Sequence, residues 1–417
     1  MEKRIAFISE HASPLATPGG TDAGGQNVYV TELAKELARL QYQVDIFTRW
    51  ENEQLPQVVC CSPGIRVVHI EAGPRRYIEK ENLLPYMADF RRHLIDFIRN
   101  TGQNYELIHA HFFMSALVAM EVKMIMGIPF VVTFHALGHI RRLFQGSNDR
   151  FPAERIQIET DAIRFADRVI AECPQDKEDL TRFYSAPERK ISVIPCGVNT
   201  AQFYRIPQQE ARAHINIPKE DFTLLQLGRM VPRKGIENVI RSLDILCKKD
   251  LPFRLIIVGG DPQDVAGQPE LARLQDLCKL LGIADRVSFA GKKEQQELKY
   301  YYSAADIFIT TPWYEPFGIT PLEAMACQTP VIGSGVGGIT YSVKEGATGL
   351  LVAPEDPVAL ADSILYLSKR PEYLRQLGRN GLSRVQTLFT WQGIAGKMAA
   401  VYEEIRSVAD FGIKQVV

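Results

Sequence analysis

TPWYEPFGITPLEAMACQTPVIGSGVGG, residues 311–338, holds a loop fixed by Pro316 and Gly318, a T-P-x-E helix start at Thr320–Glu323, and a short apolar strand at 330–334. The run just before it, 307–310, is also short, apolar and β-branched. Strand, helix and strand at this spacing make one crossover unit of a parallel sheet. The same alternation extends in both directions. Candidate strands lie at 4–9, 44–48, 66–70, 107–111, 130–135, 168–171 and 191–194, then at 222–227, 254–258, 286–289, 307–310, 330–334 and 349–352. Helical periods fill the intervals, so the fold class is α/β, with parallel sheets covered by helices on both faces. Residues 199–219 are polar and proline-bearing and interrupt the series. Two doubly wound, Rossmann-like domains are therefore expected: 1–205, 206–388, and a final helical stretch 389–417 that returns to the first. Ligands of such sheets sit beyond the carboxyl ends of the strands, which predicts a cleft between the domains.

Composition narrows the function. The chain has 417 residues, 46% of them hydrophobic, enough for two cores. Forty-eight Lys+Arg against 49 Asp+Glu leave a net charge of -1, with no long run of either sign, so nucleic acid is not an expected partner. No apolar window is long enough for a membrane span, and the MEKRIAFISE start lacks the core of a secretion signal. The 7 cysteines are scattered without a CxxC pair and read as reduced, mostly buried thiols of a cytoplasmic protein. His109 and His111 share one side of a strand, but no third ligand accompanies them, so no metal site is expected.

Three segments carry chemistry. Gly24 and Gly25 precede a helix in DAGGQNVYV, where backbone N–H groups could approach a phosphate; a turn needing glycine dihedrals is the structural alternative. LGRMVPRKG places Arg229 and Lys234 around a turn before another helix, a spacing that suits a diphosphate. In the opening stretch, Glu323 fits a capping box with Thr320 and Pro321. Glu315, beside Trp313, Tyr314 and Phe317, has no such local role and needs donors, such as sugar hydroxyls.

The GG loop, the Arg–Lys pair and EPFGITPLEA, with its two glutamates, together resemble the retaining glycosyltransferases of family four, and the resemblance covers nearly the whole chain. It implies the two-domain GT-B fold and a nucleotide-sugar donor, UDP-glucose or alternatively ADP-glucose, with no further cofactor. By the same resemblance Arg229 and Lys234 hold the diphosphate, Glu323 the ribose, and Glu315 the sugar's C3 and C4 hydroxyls. Phe317, Gly318 and Ile319 offer backbone to sugar and phosphate, Gly25 approaches the diphosphate, and His135 lies by the C6 hydroxyl. No carboxylate is placed as a covalent nucleophile, so front-side attack follows, with the Arg–Lys pair stabilising the leaving group.

For the acceptor, Gln26, Lys80, Arg141, Arg142 and Arg155 form a polar and basic set suited to a phosphorylated sugar. Lys80 and Arg155 match positions that serve phosphorylated acceptors in this family. Gln26 and the Leu137–Gly138 pair resemble the sucrose-phosphate synthases, which use fructose 6-phosphate; DAGGQNVYV is also close to the mycothiol-pathway transferases, which use inositol phosphate. Phe112 and Ala136 depart from both groups, which commonly carry a tyrosine and a hydroxyl residue there. The fructose 6-phosphate reading is preferred. A nicotinamide dehydrogenase is disfavoured by the absence of GxGxxG in the first loop; a non-catalytic sugar-nucleotide sensor is the rival class, opposed by retention of Arg229, Lys234, Glu315 and Glu323 together. The oligomeric state is left open.

Overall fold

The computed structural model describes residues 3–15, 24–218, 221–248 and 252–414, with side chains as far as 407. The chain divides into two compact units, Met1–Cys196 with Trp391–Val417, and Gly197–Thr390. Segment 197–218 belongs to the second unit because its polar groups are satisfied there: Arg212 pairs with Asp306 at 2.7 Å, and the Ile206 amide donates to Ser303 Oγ at 3.1 Å.

The first unit contains β1 (Lys3–Ile8), β2 (Tyr42–Arg49), β3 (Val58–Ser62), β4 (Ile65–Ile70), β5 (Leu107–His111), β6 (Phe130–Thr133), β7 (Arg168–Ala171) and β8 (Ile191–Val193). They form one sheet in the order β3-β4-β2-β1-β5-β6-β7-β8, parallel except for β3. Every residue of β5 and β6 is buried, as expected of central strands with helices on both faces. Strand β3 was not among the expected elements. It is a largely exposed antiparallel edge, and it exposes Cys60 and Cys61, whereas Cys173, Cys196, Cys278 and Cys327 are buried as expected.

The second unit contains β9 (Phe222–Leu227), β10 (Phe253–Val258), β11 (Val287–Gly291), β12 (Ile307–Thr310), β13 (Val331–Ser334) and β14 (Gly349–Val352). Their order, β11-β10-β9-β12-β13-β14, is all parallel and is the doubly wound dinucleotide-binding order. Among the parallel strands of each unit the order reverses at one place: between β1 and β5, and between β9 and β12. Loops leaving adjacent strands at these points diverge and open a crevice at the carboxyl edge.

The last helix, Trp391–Lys414, is part of the first unit. The Tyr402 hydroxyl lies 2.6 Å from His109 Nδ1, while His109 Nε2 lies 2.9 Å from Thr133 Oγ1, so a buried imidazole ties this helix to β5 and β6. Lys3 and Tyr42 hold Glu403 at 2.6 and 2.8 Å. Burial, and then the neighbouring His135, keep His109 neutral by pushing its pKa well below the usual range. Among the described residues no helix is long and apolar enough to cross a membrane.

Removing the Tyr402 hydroxyl strands a buried ring nitrogen, so Tyr402→Phe is expected to destabilise the first unit by about 1–3 kcal/mol. Urea denaturation followed by tryptophan fluorescence reads this as a lower midpoint; an unchanged midpoint contradicts the bond's role.

Candidate functional site

In the second unit the crevice is framed by the loop after β9 and the loop after β12. The first carries Arg229, Arg233 and Lys234, and the second Trp313 to Ile319. The two are sewn together by the Trp313 amide donating to Arg233 O at 2.9 Å and Thr311 Oγ1 donating to Gly235 O at 3.1 Å. Gly235 has φ +67°, and a Cβ there would stand 1.8 Å from Thr311 O, so both conformation and space demand glycine. On the other side Gly337 and Gly338 lie directly against the Glu315–Phe317 backbone; a Cβ on Gly337 would fall 2.0 Å from Glu315 O. This packing brings Lys234 Nζ into an ion pair with Glu315 Oε2.

The carboxylate that looked costly in sequence thus finds its partner within the protein. Burial raises the Glu315 pKa, but Lys234, Arg233 and Arg229 outweigh it and hold the carboxyl below its ordinary range. Burial also lowers the Lys234 pKa, assisted by Arg233 and Arg229 and opposed by Glu315. Three cations facing one carboxylate leave local positive charge at the strand ends, where an anion would be welcome. Arg229 itself is exposed, Phe317 is buried, and Gly318 and Ile319 are half-buried.

Glu323 is buried in the helix Thr320–Ala326, but not as a capping residue: Ile319 is the N-cap, and no side-chain capping bond forms. Its Oε2 instead accepts from the Tyr302 hydroxyl at 2.7 Å. Burial drives its pKa up to about 7 despite that bond.

In the first unit Gln26 spans the reversal point. Its Nε2 donates to Ser9 Oγ beyond β1 and to His111 O at the end of β5, both at 3.2 Å. Gly24 and Gly25 are exposed at the start of the helix Gly25–Arg39. Gly24 is extended, with φ -156°, and a Cβ on it would meet nothing within 4 Å, so neither dihedral nor packing requires glycine there. The preceding Asp22 and Ala23 lie outside the described residues. His135 stands just beyond β6 with φ +58°; its Nδ1 is 3.1 Å from Glu172 Oε1 and its Nε2 3.1 Å from His111 Nδ1.

The basic set is not equally available. Arg155 is fully buried, donating from Nε to Glu159 at 2.8 Å and also to Ala136 O, with its guanidinium 4.7–4.9 Å from the ring centres of Phe112, Phe113 and Phe151. Its Nη1 is buried with no hydrogen-bond partner among the described residues. Arg141 is paired with Asp149 at 3.1 Å and Arg142 is exposed. Lys80, half-buried, follows a loop that Arg49 clamps from the end of β2: Nη1 donates to Pro74 O at 2.8 Å and Nη2 to Arg76 O.

Four residues of these networks escaped the sequence reading: Arg233, Tyr302, Glu172 and Arg49. Of these only Arg233 had a local signal, its place in the PRKG turn; the others act across long stretches of chain. No group of three or more His, Cys, Asp or Glu among the described residues is arranged to hold a metal ion.

Two such sheets in one chain, with a cation cluster at the reversal point of the second, are the architecture of the GT-B fold. Residues 207–384 match the family model "Glycosyl transferases group 1" and residues 23–202 match "Glycosyltransferase Family 4". The chain belongs to this glycosyltransferase family. It is 34% identical to D-inositol 3-phosphate glycosyltransferase 2 of Catenulispora acidiphila over 98% of this chain and 96% of that one. Among solved structures it is similar to the sucrose-phosphate synthase of Thermosynechococcus elongatus, with TM-score 0.90 and 35% identity over 97% of this chain and 100% of that one. Anabaena HepE, solved with UDP and glucose, shares the fold at TM-score 0.74 and 20% identity, covering 96% and 99%.

The raised pKa of Glu323 has a definite sign in stability. Between its ordinary value of 4.5 and about 7 the folded protein binds more protons than the unfolded chain, so the contribution of this group to stability falls as pH rises through that window. The full penalty above pH 7 is about 3 kcal/mol. Glu323→Gln, without ligand, is therefore expected to gain stability over the parent from pH 5 to pH 8 in urea titrations. A difference that stays constant across that range refutes the assignment.

Proposed function

We propose that this enzyme is a retaining hexosyltransferase that moves a glucosyl group from a nucleotide sugar to fructose 6-phosphate, giving sucrose 6-phosphate. The observation that carries the donor half is the Lys234–Glu315 pair at the reversal point of the second sheet, flanked by Arg229 and Arg233. A donor brings both kinds of partner to that pair at once: diphosphate oxygens for Lys234 and Arg229, and the sugar's C3 and C4 hydroxyls for Glu315. Glu323 takes the ribose hydroxyls, and the Phe317–Ile319 backbone cradles sugar and phosphate. Gly25, with Gly24 open beside it, approaches the diphosphate from the first unit, and His135 serves the C6 hydroxyl. UDP-glucose is the donor preferred, with ADP-glucose the other.

In the reaction the acceptor hydroxyl oxygen bonds to the anomeric carbon from the face that the nucleotide leaves. The anomeric C–O bond to phosphate breaks, and a leaving phosphate oxygen takes the acceptor proton. Lys234 and Arg229 stabilise the negative charge that grows on the diphosphate.

Gln26, Lys80, Arg141, Arg142 and Arg155 are the acceptor set; Arg155 is enclosed by Phe112, Phe113, Phe151 and Glu159, so the exposed Arg142 and the half-buried Gln26, Lys80 and Arg141 are the members that solvent reaches. The likeness to a sucrose-phosphate synthase at 35% identity supports fructose 6-phosphate. The relative named for D-inositol 3-phosphate, at 34% identity, supports a second reading in which inositol phosphate is the acceptor.

The purified protein is to be incubated with UDP-glucose or ADP-glucose against fructose 6-phosphate, fructose and inositol phosphate, with products identified by mass. Sucrose phosphate from UDP-glucose is expected; an inositol phosphate glycoside establishes the second reading, and binding of UDP-glucose without any product establishes a sensor. Arg229→Ala is expected to lower kcat about a hundredfold or more with the fold intact by circular dichroism. Unchanged turnover removes Arg229 from the mechanism.

A further inference from the structure

Glu172, just beyond β7, is fully buried and reaches the histidine that the proposed function assigns to the donor sugar. Its Oε1 lies 3.1 Å from His135 Nδ1 and accepts from the Cys196 thiol, also at 3.1 Å. The Glu172 amide donates to Asp176 Oδ2 at 3.0 Å, which seats its backbone at the start of the helix Pro174–Tyr184. We infer that Glu172 is a positioning residue: it fixes the proton of His135 on Nδ1 and holds the ring so that Nε2 presents a lone pair.

Donors and acceptors around His135 must match in number. An ionised carboxylate can only accept, so the bond to His135 Nδ1 requires a proton on Nδ1. With the ring's single proton on Nδ1 there is none on Nε2, and His111 Nδ1, at 3.1 Å, is then the donor in that pair. His111 is itself kept neutral, its pKa pushed well down by burial and then by His109 and His135. Its one proton is spent on His135, which leaves its Nε2 bare; that nitrogen is indeed buried with no hydrogen-bond partner among the described residues. The two rings stack at 5.4 Å and 17°, and Tyr29 meets the edge of His135 at 4.9 Å, so neither ring is free to turn over.

His135 also sits at φ +58°, a region that costs a non-glycine residue energy and persists only when its surroundings over-determine it. Glu172 supplies one such constraint from a neighbouring strand. The consequence is one of orientation: Glu172 at Nδ1 and His111 at Nε2 engage both ring nitrogens of His135, so the face of the ring is fixed before any sugar arrives. Glu172→Gln, nearly the same shape, removes the requirement, because the amide can donate to Nδ1 as well as accept from it.

This inference rests on the proposed function for its meaning, yet its first test does not. In protein labelled with nitrogen-15 at histidine, with His135 assigned by comparison with a His135→Asn variant, the parent is expected to show a protonated Nδ1 and a bare Nε2. A proton on Nε2 overturns the inference, whatever the enzyme acts on. In Glu172→Gln the preference is expected to weaken or invert, while circular dichroism stays that of the parent; a signal identical to the parent's overturns it too. Kinetics form the second arm: kcat is expected to fall roughly tenfold to a hundredfold with affinity for UDP alone unchanged, because UDP carries no sugar to meet His135. Unaltered kcat in a variant whose tautomer has shifted denies Glu172 a part in turnover. Should the parent neither bind UDP nor form product, the proposed function fails, and the nitrogen-15 result still decides the tautomer.

Discussion

A lysine and a glutamate held together at the point where a parallel sheet reverses its strand order set the terms for the second unit. Withdrawing two charges from water is expensive, and losing one partner of such a pair typically costs about 3–5 kcal/mol. Lys234 and Glu315 therefore constrain everything that touches them. The loop after β9 must turn through a left-handed glycine to deliver Lys234. The loop after β12 must lie so close to Gly337 and Gly338 that no side chain fits between. These glycines are not separate motifs but consequences of one contact. A well-packed hydrophobic pair would commonly fill such a space at less cost, which is the reason to look for function in this one.

The first unit solves a different problem. Its reversal point is lined with polar groups: His109 and His111 with rings 4.2 Å apart, His111 bonded to His135, and Gln26 bridging the ends of β1 and β5. Imidazoles suit such a place because a ring with one proton offers one donor and one acceptor. His109, at the far end of this group, is tied to Tyr402, so the C-terminal helix is anchored on the same network that faces the crevice. The two reversal points thus differ in kind: imidazoles and an amide gather in the first unit, and three cations around one carboxylate in the second.

How much of this could be read from the sequence depends on how far apart the partners lie. The parallel strands were legible because burial on both faces leaves uninterrupted β-branched runs such as FVVT and IFIT. Strand β3 was not, since an exposed edge carries no such run. Glu323 fits a capping box by spacing, yet burial in the helix turns its carboxylate to Tyr302, a residue 21 positions away that no local pattern reveals. Arg155 was legible as a cation, but not that three phenyl rings and Glu159 would enclose it. Spacing finds residues that act through their own loop or helix; residues that act through a partner on another strand become visible only when the strands are assembled.

The choice of acceptor turns on partners of the same dispersed kind. Fructose 6-phosphate and inositol phosphate are both polyhydroxylated rings bearing one phosphate, so a site that grips the phosphate holds either. Discrimination must then come from a few hydrogen bonds to ring hydroxyls, and a site built around such a bond rejects the ligand that lacks it far more strongly than an apolar wall rejects an extra group. The two departures in the first unit both remove polar contacts: Phe112 packs at 4.9 Å against His11 and Ala136 offers only its carbonyl, which Arg155 already occupies. Neither Phe112 nor Ala136 therefore offers a side-chain hydrogen bond by which two such rings could be told apart.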